Sequence, residues 1–238
     1  MKKIKFVDKS VYLENERILV IGDLHFGFEE ELNKAGILIP RNMMKEVLES
    51  LSFIKKRINS VKKVILLGDV KESFGKILKQ EKEELFLFLK KINEYFSPDE
   101  IIIIKGNHDV LLDLLLKKEN FENLKIKNFH LEKDILFFHG DYKSFNKLKK
   151  EVKKIKMIVV GHFHPAINLT DGEKIEKFKC FVKGKLDGKE ILIVPSFFPL
   201  IEGADILGEC ELNLIPIKEK KIFVVSPDGE VYDFGKIK

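Results

Sequence analysis

Five of the six histidines in this chain of 238 residues stand directly after short apolar runs, in the company of aspartates, an asparagine and glycines. The runs are Leu19-Val20-Ile21-Gly22-Asp23-Leu24-His25, Ile65-Leu66-Leu67-Gly68-Asp69, Ile103-Ile104-Lys105-Gly106-Asn107-His108-Asp109, Leu136-Phe137-Phe138-His139-Gly140-Asp141 and Ile158-Val159-Val160-Gly161-His162-Phe163-His164-Pro165. Carboxylate, imidazole and amide donors with no thiolate among them suit a hard or borderline divalent ion. Asp23, His25, Asp69, Asn107, His139, His162 and His164 are more donors than one ion takes. They fit two ions about 3.5–4 Å apart sharing a carboxylate, for which Asp69, lying between the two groups in sequence, is the natural bridge. Asp23 with His25, and His162 with His164, have the i, i+2 spacing that puts both side chains on one side of an extended segment.

Two such ions supply what hydrolysis of a phosphate ester needs, an acidified water and neutralisation of phosphoryl charge. The leaving oxygen still needs a proton. His108 adjoins Asn107 without being needed as a ligand, so it is the expected general acid, with Asp109 expected to orient its ring. Mn²⁺ is the expected metal; Fe²⁺, Zn²⁺ and Ni²⁺ are the alternatives.

Placing these residues requires strands that end together. Strands over Arg17–Ile21, Val64–Leu67, Ile101–Ile104, Ile135–Phe138 and Met157–Val160 are expected, all unloading ligands at one edge of one sheet. Helical spacing of Met44, Val47, Leu48, Leu51, Ile54 and Ile58, after Pro40, predicts a helix that packs on that sheet. Further helices are expected over about Glu81–Tyr95, Leu111–Leu116 and Ser144–Ile155, with an irregular stretch from His25 to Gly36. Strand, ligand loop and helix in alternation mark βαβ units, with ligands at the carboxyl ends of strands. From about 175 to 238 the strand-like segments and the Ser226-Pro227-Asp228-Gly229 turn predict antiparallel structure in a second sheet. The expectation is one domain over 1–238, with the motif-bearing core at about 17–165.

Composition sets outer limits. No run of 18 apolar residues and no leader-like segment occurs, which predicts a cytoplasmic protein away from membranes. Cys180 and Cys210 are expected to be reduced thiols. A net charge of +5 admits an anionic substrate without the strongly basic balance of a dedicated nucleic-acid binder. Arg17, Arg41 and Arg57 are the only arginines in a Lys/Glu-rich chain, a usage that hyperthermophile proteins and biased genomes both produce. The run Lys143, Lys147, Lys149, Lys150, Lys153, Lys154 and Lys156 reads as a solvated helix face rather than a phosphate-tracking patch. His130 reads as an ordinary surface residue, and most of Phe197-Phe198-Pro199-Leu200 as core. Arg41 is open to two roles, a bidentate phosphate contact or a surface ion pair.

The ordered set Asp23-Leu24-His25, Gly68-Asp69-Val70-Lys71-Glu72, Gly106-Asn107-His108-Asp109, His139 and Gly161-His162-Phe163-His164 resembles the motif series of the calcineurin-like metallophosphoesterases. The resemblance implies a four-layer α/β/β/α sandwich with two mixed sheets. It implies Asp23, His25 and His164 on one ion, Asn107, His139 and His162 on the other, and Asp69 between them. His108 would be the acid, with Asp109 and Glu72 in support. Gly27-Phe28-Glu29, Gly36 to Arg41 and Pro195 to Leu200 with Gly203 resemble a narrower branch, small archaeal and bacterial phosphoesterases related to DNA repair nucleases. The expected activity is hydrolysis of phosphodiesters in nucleotides or nucleic acid. A small-molecule phosphomonoesterase or pyrophosphatase, or a non-catalytic binding protein of the same fold, are the alternatives; the oligomeric state is left open.

Overall fold

Apolar β-branched runs become strands buried on both faces, and in this chain they do so in two sheets. The computed structural model describes residues 3–117, 121–140 and 154–237. The first sheet holds β1 (Ile4–Val7), β2 (Ser10–Leu13), β3 (Ile18–Ile21), β4 (Lys63–Leu66), β5 (Glu100–Ile104) and β6 (Leu124–Lys127), in that spatial order. β1, β2 and β3 are antiparallel, turning at Asp8 and Lys9, and β3 to β6 are parallel. Helices α1 (Phe28–Lys34), α2 (Met43–Arg57), α3 (Lys79–Phe96) and α4 (Leu112–Leu116) lie in the connections between the parallel strands.

The second sheet contains β7 (Phe129–Glu132), β8 (Ile135–Phe138), β9 (Met157–Val160), β10 (Pro165–Asp171), β11 (Lys174–Leu186), β12 (Lys189–Ile193), β13 (Ala204–Asp205), β14 (Lys218–Val225) and β15 (Val231–Lys236). Its order is β13-β10-β11-β12-β9-β8-β7, with β14 and β15 added at β11. Most pairs are antiparallel, but β8, β9 and β12 run parallel to one another, so the sheet is mixed and the 175–238 region is not wholly antiparallel.

Side-chain alternation along each strand divides the core. Ile18 and Val20 of β3 face the second sheet, where Ile65, Ile102, Phe137, Val159, Phe181 and Leu192 join them. Leu19 and Ile21 face the other way, onto Val47, Leu51 and Ile54 of α2 and Leu85, Phe88 and Ile92 of α3. On the outer face of the second sheet, Leu136, Ile158 and Val160 pack under Leu212, Ile215 and Ile217 around a 3₁₀ turn, Glu211–Leu214. Burial on both faces explains why these strands read as unbroken apolar runs. The helix expected over Ser144–Ile155, and with it Lys143, Lys147, Lys149, Lys150 and Lys153, falls almost wholly on 141–153, outside the described residues.

Several expectations are corrected. The five ligand-bearing strands do not share one sheet: β3, β4 and β5 belong to the first, β8 and β9 to the second. The stretch before Gly36 is not wholly irregular, because α1 occupies it without a side-chain cap. α2 begins at Met43, three residues beyond Pro40. His130 lies largely buried on β7, near Lys127 and Glu132 and stacked by Phe137, not on the surface. Cys180 and Cys210 are free thiols, and among the described residues no helix is long and apolar enough to cross a membrane.

Candidate metal centre

The parallel strands β3, β4 and β5 of one sheet and β8 and β9 of the other release Asp23 and His25, Asp69, His108, His139, and His162 and His164 shortly after their last positions, and these side chains converge. Backbone conformation does much of this. His25, Asp69, His162 and His164 all have positive φ, of 44, 44, 69 and 41°. Non-glycine residues rarely adopt that region unless their surroundings hold them there. The premise that His25 and His164 sit on extended segments is therefore wrong; tight turns present them instead. Glycines allow the close approach: a Cβ on Gly161 would stand 2.6 Å from Asp23 Oδ2, and one on Gly106 would stand 2.2 Å from Asp69 Oδ1.

Two groups of donors result. Asp23, His25 and His164 bring ligand atoms within 4.8 Å of one another, and so do Asp69, His139 and His162. The groups adjoin, since Asp23 Oδ1 lies 3.6 Å from His139 Nδ1 and accepts the His162 N–H at 3.1 Å. A third cluster, His25, Glu72 and His108, borders the first. Asn107 is exposed on the loop after β5, directly before His108.

The donor sets fit divalent ions on two counts. His25 Nε2 is 3.3 Å from His164 Nε2, and His162 Nδ1 is 3.1 Å from His139 Nε2. Nitrogens each about 2.1 Å from a shared ion stand about 3.0–3.4 Å apart. The remote ring nitrogens are also taken: His25 Nδ1 donates to Glu72 Oε2 at 2.7 Å and His139 Nδ1 to the Leu67 carbonyl at 2.7 Å. Such partners leave Nε2 of each ring as the nitrogen available for ligation.

Charge is arranged to match. Burial alone would raise the Asp23 carboxyl, but His164, His139 and His25 hold it below the usual carboxylate range. Asp69 is likewise driven down against its burial, by His139 and by the His108 N–H it accepts at 2.9 Å. Burial opposes charge on His139, yet Asp69 and Asp23 outweigh it and raise its pKa to about 9. Burial and the neighbouring His139 charge push His162 down. A cation taken up at His139 Nε2 would displace the proton held there.

A model of the calcineurin-like phosphoesterases matches residues 16–201, a span that contains both donor groups. The chain belongs to this family. As a calcineurin-like phosphoesterase it is a metal-dependent hydrolase of phosphoesters. Among solved structures, it is similar to the nuclease MPE of Pseudomonas putida at 15% identity and a TM-score of 0.64, over 98% of this chain and 100% of that one. A novel archaeal phosphodiesterase aligns over 92% of this chain and 98% of its own at 18% identity and a TM-score of 0.41. The zinc-complexed Vps29 of Entamoeba histolytica aligns over 92% and 97% at 13% identity and a TM-score of 0.38. No curated protein matches the sequence.

Residues expected in support are placed differently. Asp109 does not orient the His108 ring: its carboxylate accepts the N–H groups of Gly106 at 2.9 Å, Val70 at 3.0 Å and Lys71 at 3.3 Å. Burial and the charge of Asp69 raise it to about 6 despite those bonds. The backbone carbonyl of Glu72 engages His108 Nδ1 instead, with the Glu72 carboxylate 3.9 Å away. Arg41 is exposed, and its charge is felt at Glu30. Phe197 and Phe198 are fully buried, and their segment braces the end of β3. The Phe197 N–H bonds the Asp23 carbonyl at 3.1 Å, and the Ser196 hydroxyl bonds the same carbonyl at 3.0 Å. Ser196 is the contact that sequence reasoning missed; only its place in Pro195-Ser196-Phe197-Phe198 pointed to it.

Proposed function

We propose that the protein hydrolyses phosphodiester bonds, in nucleotides or nucleic acid, at two divalent ions held by Asp23, His25 and His164 and by Asp69, His139, His162 and Asn107. Mn²⁺ is the metal we assign. The observation that carries this reading is the pair of adjoining donor groups with His108 beside them. Bound there, the ions would supply an acidified water and neutralise charge on the phosphoryl oxygens. Asp69, 3.2 Å from His139, is the carboxylate we assign between the two ions.

His108 acts on the leaving oxygen. Its Nδ1–H is committed to the Glu72 carbonyl, so the acid form is the imidazolium and the transferable proton is on Nε2, the nitrogen turned toward Asp69. Once that proton passes to the leaving alkoxide, the ring is left as the Nδ1–H tautomer with its anchor intact. The nuclease that shares this fold supports a diester over a phosphoprotein substrate. The test is cleavage of bis-p-nitrophenyl phosphate by the purified protein with added Mn²⁺, set against p-nitrophenyl phosphate. Diester turnover should exceed monoester turnover, and Asp69→Asn should lower it by about 10³-fold or more. Undiminished activity in that variant would overturn the assigned site.

A further inference from the structure

Phenylalanine is abundant in this chain, and among the described residues Phe74 and Phe234 are the exposed ones. Phe74 is 59% exposed, and its ring centroid is 4.0 Å from that of His108, at an interplanar angle of 42°. This contact is not a loop collapsing at random onto a neighbour. The Ser73 N–H is bonded to Glu81 Oε1 at 2.5 Å, the buried Lys71 amine donates to the Ser73 carbonyl, and the Glu72 carbonyl holds the His108 ring. The residues on either side of the contact are thus fixed from below while the phenyl ring itself stays in solvent. Gly75 follows with φ of 66° and open space at its Cβ position, on the same exposed loop as the ring.

We infer that Phe74 is a stacking platform for the leaving-group side of the substrate, taking the planar base of a nucleoside whose sugar oxygen receives the His108 proton. The inference rests on the diesterase reading above and names which half of that substrate is recognised. Whatever accepts the Nε2 proton must pass beside His108, and therefore beside Phe74. The phenyl ring packs against the imidazole, and an ester oxygen that takes the His108 proton would lie beyond the Nε2 edge of that ring. The phenyl meets a ring separated from that oxygen by a sugar better than one bonded directly to it, which favours a nucleoside over a tyrosyl leaving group. Every base offers a π-face, so the platform would be tolerant of base identity.

The experiment compares kcat/KM for thymidylyl-thymidine and for a bis-glycerol phosphodiester in the parent, Phe74→Leu and Phe74→Tyr, with products resolved by chromatography. Phe74→Leu should lower the ratio of dinucleoside to glycerol cleavage by about 5- to 100-fold, and Phe74→Tyr should restore it. Thymidine should inhibit the parent as a product analogue and inhibit Phe74→Leu correspondingly less. An unchanged ratio in Phe74→Leu would overturn the platform while leaving the diesterase reading standing. A parent that cleaves neither diester would instead defeat the diesterase reading itself. A larger loss in Phe74→Leu on a phosphotyrosine peptide than on the dinucleoside would overturn the platform in favour of a tyrosyl leaving group.

Discussion

At the strand ends Asp23 and Asp69 face imidazoles, whereas between α1 and α3 the equally buried Glu29, Glu81 and Glu84 face Gln80, backbone N–H groups and one another. Glu29 accepts the Met43 N–H at 3.0 Å and Gln80 Nε2 at 2.7 Å; Glu84 accepts the Gly27 N–H at 2.9 Å and Gln80 Nε2 at 2.7 Å. Glu81 accepts Ser73 and Leu78 N–H groups, with Lys71 3.9 Å away. Protonation follows the partners. Asp23 and Asp69 are held low by their histidines, while burial raises Glu81 and lifts Glu84 to about 7. The first group keeps oxygens turned toward rings that can exchange a proton for a cation. The second spends its oxygens on the chain, tying the loop after His25 and the loop after Asp69 to α3. One group is built to bind; the other sets the loops that carry it.

If that division is right, the largest effect on folding comes from the clamp. Glu81→Ala strips two backbone N–H groups of their acceptor and leaves the fully buried Lys71 without its carboxylate. Breaking one side of a buried pair costs about 3–5 kcal/mol, and urea unfolding should show a loss of that size. A loss under about 1 kcal/mol would mean that the cluster does not hold these loops. Asp109 belongs with the clamp as well, since its carboxylate joins the loop after β4 to the loop after β5.

Much of the binding group was legible in sequence, because an apolar run ending in Gly and Asp or His declares both a strand and what it delivers. Which histidine joins which carboxylate was suggested by family resemblance and not by spacing, since the αL turns at His25, His162 and His164 follow from no local signal. Sheet membership was illegible for a related reason. β8 and β9 are buried on both faces like β3 to β5, and hydrophobic pattern alone cannot tell one central strand from another. The clamp escaped notice because nothing in the spacing of Glu29, Glu81 and Glu84 tells a buried glutamate from a solvated one. Phe74 was hidden among twenty phenylalanines.

Glu72 stands between the two groups and sharpens the contrast. Its carboxylate touches His25 Nδ1 at 2.7 Å, so it serves the binding group, yet its backbone lies on the loop the clamp secures. Glu72→Gln keeps the shape and loses the charge behind the His25 ring. Metal affinity, measured by competition with a chelator, should weaken about 10- to 100-fold while the unfolding midpoint moves little. Unchanged affinity with lowered stability would move Glu72 into the clamp.

The smallest effect separates the groups by pH. Glu84 is raised from 4.5 to about 7, first by burial and then by the nearby Glu29 charge. The folded state therefore holds this proton more tightly than the unfolded chain does. The stability it contributes is complete below about pH 4.5 and is lost as pH rises through about 7. Glu84→Gln keeps an oxygen for the Gly27 N–H, gives up the acceptor for Gln80 Nε2, and does not titrate, so its cost is a pH-independent offset and the slope with pH is the readout. Between about pH 5 and pH 8 the parent should lose roughly 2 kcal/mol more than this variant does, by urea unfolding at each pH. Glu81 is raised in the same direction, so the variant's slope should flatten without vanishing. Parallel slopes in the two proteins would show that Glu84 is ionised in the fold, and the clamp would then differ from the metal centre in partners but not in charge.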